Sequence, residues 1–65
     1  MRFELRRAGL LRQQWHIVLV GDNNEDIMWS EKYADKRSAI HAVELCRRTG
    51  PLTRLIDKDS GSVIG

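Results

Sequence analysis

Ile27-Met28-Trp29-Ser30-Glu31-Lys32-Tyr33-Ala34-Asp35-Lys36-Arg37-Ser38-Ala39-Ile40 is the stretch on which the fold turns, because its spacing changes from strand-like to helical within fourteen residues. Ile27 and Trp29 alternate with Met28 and Ser30, the two-residue period of a half-buried strand. From Asp35 onward the apolar residues Ala39, Ile40, Val43 and Cys46 recur at three and four, with Ala42 and Leu45 widening the stripe. Asp35 has the side chain of a helix N-cap, able to accept a bond from an early amide that lacks an intrahelical partner. At the far end Arg47 and Arg48 suit the negative pole of the helix, Gly50 fits the position just past it, and Pro51 forbids continuation.

Working outward toward the amino terminus, Gly21-Asp22-Asn23-Asn24-Glu25-Asp26 carries turn chemistry, since Gly and Asn tolerate positive φ and Asp and Asn bond their own backbone. The turn joins the Ile27 strand to Gln14-Trp15-His16-Ile17-Val18-Leu19-Val20, a run of β-branched and aromatic residues that is the strongest strand signal in the chain. Trp15, Ile17 and Leu19 share one face. His16, Val18 and Val20 make a second, partly apolar face, so both sides are expected to be covered, as inside a dimer or beneath a returning segment. Arg2-Phe3-Glu4-Leu5-Arg6 alternates as well and predicts a first strand ending near Ala8-Gly9. Beyond the helix, Leu52 to Ile56 reads as a short C-terminal strand and Asp57 to Gly61 as a turn before Ser62-Val63-Ile64. The expectation is α+β: a three-stranded antiparallel sheet followed by one helix, in one domain over residues 1–65.

The order of these elements carries a resemblance. Phe3-Glu4, the aromatic strand Trp15 to Leu19, and Ser30-Glu31-Lys32-Tyr33-Ala34-Asp35-Lys36 leading into Ala39, Ile40 and Val43 resemble the YegP-like family of small uncharacterised domains. The resemblance implies a β-β-β-α unit that occurs as a tandem pair or a homodimer, with no established function. Asn24-Glu25 stands where an Asn-Gly turn is usual in that family.

A chain of 65 residues buries only about 60% of the surface its unfolded form exposes, so support from outside the monomer is expected. The single Cys46 forms no intrachain disulfide, and two histidines with one cysteine do not complete a four-ligand zinc site. Self-association remains, hence a homodimer. No apolar run approaches the roughly 20 residues of a membrane span, and no apolar core of a signal peptide follows Met1-Arg2, so a cytoplasmic protein is expected.

Catalytic constellations are absent from the sequence. Cys46 and His41 are separated by about 140° around the helix axis and do not face each other, which makes Cys46 a small core residue in this reading. Asp57-x-Asp59-x-Gly61 lacks the further ligands of a calcium loop, and no glycine-rich phosphate loop occurs. No cofactor and no metal are expected, and the chain reads as a non-enzymatic interaction module of the kind found among accessory or phage proteins, with a protein partner. The aromatic anchors for it are Trp15, Trp29 and Tyr33, the two tryptophans being otherwise core or dimer-seam residues. The alternative is a nucleic-acid-binding protein in which Arg2, Arg6, Arg7 and Arg12 form a phosphate-contacting edge; the net charge of +2 permits this without demanding it.

Overall fold

In the structure, a computed structural model covering residues 1–65, the chain runs β1 (Arg2–Ala8), β2 (Gln14–Val20), β3 (Asp26–Trp29) and α1 (Lys36–Cys46). The three strands form one antiparallel sheet in the order β1-β2-β3, the simple meander that short turns allow. Gly9 makes the first turn at φ +90°, and a Cβ there would sit 2.5 Å from the carbonyl oxygen of Arg12, so only glycine fits. At the second turn Asn24 takes the left-handed conformation, φ 64°, that Gly takes in an Asn-Gly turn. Asn24 N–H donates to the Gly21 carbonyl and Gly21 N–H to that of Glu25, closing the loop.

β2 is the centre of the sheet. Its register with β1 places Phe3 opposite Leu19 and Leu5 opposite Ile17 on one face, and Glu4 opposite Val18 and Arg6 opposite His16 on the other. Pairing with β3 sets Leu19 against Met28 and Val18 against Trp29, with a register shift between Leu19 and Val20 that brings Asp26 opposite Val20.

The segment from Ser30 to Asp35 keeps its hold on β2 after β3 has ended. Ser30 N–H donates to the Ile17 carbonyl at 2.8 Å, and Ser30 Oγ accepts from Ile17 N–H at 2.8 Å, so a hydroxyl replaces a backbone acceptor in the ladder. Tyr33 then exchanges two backbone bonds with Trp15, 2.8 and 2.7 Å. Asp35 caps the helix as its residue type foretells, its Oδ1 accepting from Ser38 N–H at 2.8 Å.

The helix buries Ala39 and Val43 against Ile17, with Phe3, Trp15 and Tyr33 packed around them. One helix, about 10 Å across, covers roughly two strands at about 4.8 Å spacing and leaves a third uncovered. The apolar stripe of α1 is accordingly wider than what it buries: Ile40, Leu45 and Cys46 are exposed. Cys46, expected in the core, instead lines an open apolar groove beside β3. The other sheet face carries no second layer of backbone. Val18 and Val20 are nonetheless buried there, flanked by their cross-strand partners Glu4 and Trp29, and Arg2 and Asp26.

The helix ends at Cys46, earlier than Gly50 suggested. Arg48 and Thr49 N–H groups donate to the carbonyls three residues back, tightening the last turn before Gly50 is reached. The C-terminal strand is reduced to one bridge, Ile56 with Val63, around a turn in which Asp57 Oδ1 accepts from Asp59 N–H at 2.9 Å and Gly61 takes φ +76°. Leu52, Leu55, Ile56, Val63 and Ile64 are all exposed on this tail. The Cα radius of gyration, 14.0 Å, exceeds the about 11 Å of a compact chain of this length. No helix is long and apolar enough to cross a membrane.

Candidate functional site: an ion-paired sheet face and an exposed strand edge

The residues singled out from the sequence fall into three places. Arg2 and Arg6 lie on the uncovered sheet face, as the two-residue period requires. Neither is free. Arg6 grips Asp26 with both terminal nitrogens, NH1 to Oδ2 and NH2 to Oδ1 at 3.0 Å each, while its Nε and NH2 also reach Glu4 Oε1. Arg2 Nε donates to Glu4 Oε2 at 2.8 Å and its NH1 to Asn24 Oδ1 at 3.0 Å. Glu4 is thus shared by two arginines and Asp26 is held by one, a lattice running from β1 across β2 to β3.

The electrostatics follow from these contacts. The bonds from Arg6 and then Arg2 hold the Glu4 carboxyl below its ordinary range. The Arg6 fork does the same to Asp26, helped by the indole N–H of Trp29, and the two carboxylates in return hold Arg6 above its ordinary value. Two of the four arginines proposed to meet phosphates are therefore committed to carboxylates within the chain.

Arg7 lies on the opposite face, its guanidinium carbon 5.3 Å from the centroid of the Trp15 ring. Arg12 is in the β1–β2 turn and exposed. Arg2, Arg6 and Arg7 all stand on β1, an edge strand, but strand parity puts Arg2 and Arg6 on one face and Arg7 on the other.

Trp29 and Tyr33 are likewise apart. Trp29, 64% exposed, stands on the open face, its Nε1 donating to Asp26 Oδ2 at 3.2 Å and its ring edge-on to His16 with centroids 5.5 Å apart. Tyr33 is half-buried against the helix side of the core. What surrounds Trp29 is an edge: every residue of β3 is exposed, Ile27 and Met28 at 52% and 61%. Below it opens the groove lined by Phe3, Ile17, Leu19, Met28 and Cys46.

Three side chains of the Ser30–Lys36 stretch carry the passage from sheet to helix, for Ser30 extends the ladder, Tyr33 re-pairs with Trp15 and Asp35 caps α1. A family model described as a domain of unknown function (DUF1508) matches residues 12–57, which includes this stretch and the whole of β2, β3 and α1. The chain belongs to the DUF1508 family. YegP-like domains are members of it, so the resemblance read from the sequence and the family match agree. The matched span begins inside the β1–β2 turn, leaving Phe3-Glu4 outside it. No curated protein and no solved structure matches this DUF1508 chain.

No group of three or more His, Cys, Asp or Glu side chains converges in this DUF1508 domain. His41 approaches only Glu44, at 3.8 Å on the exposed helix surface. Sequence reasoning passed over Glu4 and Asp26, which decide the charge of the open face. The Arg2-Glu4-Arg6 alternation was the signal for the first. Nothing local signalled the second, because Asp26 reaches Arg6 only through the β2–β3 register.

Proposed function

We propose that this chain is a non-enzymatic, dimeric interaction module that binds a protein partner through its β3 edge. The observation that carries the reading is β3 itself: a four-residue edge strand with Ile27, Met28 and Trp29 exposed above an open apolar groove. An edge of this kind is an available template for another strand, and natural sheets ordinarily blunt such edges with charge or cover them. Here the charge lies on Asp26 alone, and Asp26 is neutralised by Arg6.

The dimer rests on a match between two unsatisfied surfaces. The tail residues Leu55, Ile56, Val63 and Ile64 are all exposed, and the groove beside β3 is open in the single chain. The tail of one copy against the groove of another removes both from water. Only five hydrophobic residues are buried within one chain, a small core for an independent fold.

Sedimentation at micromolar concentration tests the dimer, and a stable folded monomer there speaks against it. The partner half is tested by affinity capture with wild type and Trp29→Ser side by side, both checked for folding by circular dichroism. A protein retained by the wild type and lost from the variant is expected. Equal retention by both, or by neither, rejects β3 as the docking edge.

A further inference from the structure

A second charged surface, separate from β3 and its groove, lies at the end of the sheet where β1 turns into β2. Five cations gather there: Arg7 at the end of β1, Arg12 in the turn, Lys32 beside Tyr33, and Lys36 and Arg37 at the start of α1. Topology brings them together, since Tyr33 pairs with Trp15 and so returns the chain to the β1–β2 end before the helix begins. Arg7 and Lys36 converge on one ring, the guanidinium carbon 5.3 Å and the ammonium nitrogen 4.6 Å from the Trp15 centroid. Arg12 and Lys32 line a single open cleft with Gly9 and Gln14.

None of the five lies within 4.0 Å of a carboxylate oxygen, whereas Arg2 and Arg6 are both ion-paired. The nearby acids in sequence are Glu31 and Asp35, and Asp35 is occupied as the helix cap. The first turn of α1 holds no acidic residue and begins with Lys36-Arg37, so two cations sit at the positive pole of the helix, where folding alone favours acids. Asp35 is the acid of that pole and feels the charge of Arg37, and Lys36 rests over Trp15, yet neither cation is tied in an ion pair within 4.0 Å. A placement that opposes the local rule in this way points to an external anion.

We propose that this end binds the phosphate backbone of a single-stranded nucleic acid. Charge complementarity carries the choice: five cations without an ion pair are spread over one strand end, a turn, the β3–α1 connection and a helix start, a distribution that suits an extended polyanion rather than one small anion. Two of the five are lysines, which are depleted at protein–protein interfaces but serve phosphates well as compact point charges. The arginines of this surface are Arg7, Arg12 and Arg37, and Arg2 and Arg6 take no part.

The test is fluorescence anisotropy of a labelled thymidine homopolymer with the full chain over a salt series. Binding at low salt is expected, with a log–log salt slope of about −3, as for four to five phosphate contacts at about 0.7 each on a single strand. The double variant Arg7→Gln/Lys36→Gln should lower the affinity about tenfold and flatten the slope by about 1.4, two contacts' worth. Arg2→Gln should bind like the wild type. Should the double variant fail to fold by circular dichroism, Arg12→Gln/Lys32→Gln, both on exposed turn and loop positions, gives the same readout. The proposal is overturned by absence of binding at low salt, by a double variant as tight as the wild type, or by Arg2→Gln weakening binding equally. Displacement of the homopolymer by polyglutamate or by phosphatidylserine vesicles at lower concentration than by unlabelled homopolymer also overturns it, assigning the surface to an acidic protein or to lipid. Vesicle binding would draw on Leu10 and Leu11, which stand fully exposed at the turn between Arg7 and Arg12.

Discussion

Arg6 on β1 and Asp26 at the start of β3 clasp each other across the intervening strand, two parallel N–H···O bonds of 3.0 Å. The fork geometry fixes both side chains, and Glu4 beside them accepts two further bonds, from Nε and NH2. This clasp spans a face that has no second layer of backbone, above a fully buried Val18. It gives the sheet a polar cover that is tied down at both edges.

The clasp predicts an acid sensitivity with a definite sign. Glu4, Asp26 and Asp35 all have folded-state values depressed below the ordinary carboxylate range, Glu4 and Asp26 by Arg6 above all and Asp35 by Ser38 N–H. Groups of that kind contribute stability that is present above the unfolded value, about 4, and is lost as pH falls through the lower folded one. The melting temperature should therefore be flat near neutrality and fall below about pH 4. In Arg6→Met the fall should be shallower, because Glu4 and Asp26 lose their main partner; an identical acid profile in both proteins would show the clasp to be idle in solution.

Asp35 tests the start of the helix independently. Removing a cap that accepts from Ser38 N–H should lower the melting temperature by about 4–8 °C in a domain of this size. Asp35→Ser keeps an accepting oxygen and should recover most of that loss. Equal melting of Asp35→Ala and wild type would mean that the Tyr33–Trp15 bridge alone positions the helix.

Gly9 and Gly50 make a matched pair. At Gly9 a Cβ would meet Arg12 O at 2.5 Å with φ at +90°, whereas at Gly50 nothing lies within 4 Å and φ is ordinary. Gly9→Ala should destabilise by about 1 kcal/mol or more in urea titration, and Gly50→Ala should be neutral or slightly stabilising. The reverse order would contradict the turn geometry at the β1–β2 end.

Much of this fold was legible because its signals are local. β2 spans the run read from its β-branched residues, and Asp35 caps the helix through a contact three residues away. What escaped depends on register or on layer width. Arg2, Glu4 and Arg6 share a face by simple alternation, but Asp26 joins them only because of the shift between Leu19 and Val20. Lys36 joins Arg7 over the Trp15 ring only because Tyr33 returns to Trp15. Cys46 belongs to the apolar stripe of α1 and is still exposed, since periodicity measures the width of a stripe and not the width of what covers it. Gly50 carries the right chemistry for a helix stop, yet the helix tightens and ends before reaching it.

Ile17 and Leu19 are neighbours on the same face of β2, and the structure separates their roles. Both line the groove beside β3, but Ile17 is 7% exposed inside the cluster with Ala39 and Val43, while Leu19 is half-buried outside that cluster. Ile17→Asp places an unpaired carboxylate in the cluster that joins helix to sheet, at a cost of several kcal/mol against a marginal total, and should unfold the chain. Leu19→Asp places the same group where, on the dimer reading, the tail of a second copy docks. It should retain helical circular dichroism at low temperature while sedimenting as a monomer. Ile56→Asp alters the other side of that contact, on a tail residue that is 50% exposed in the single chain, and should give the same folded monomer. Two variants on opposite surfaces with one phenotype would tie tail to groove. If Leu19→Asp unfolds with Ile17→Asp, the groove is part of the core rather than a docking surface; if Ile56→Asp stays dimeric, the tail is not what fills it.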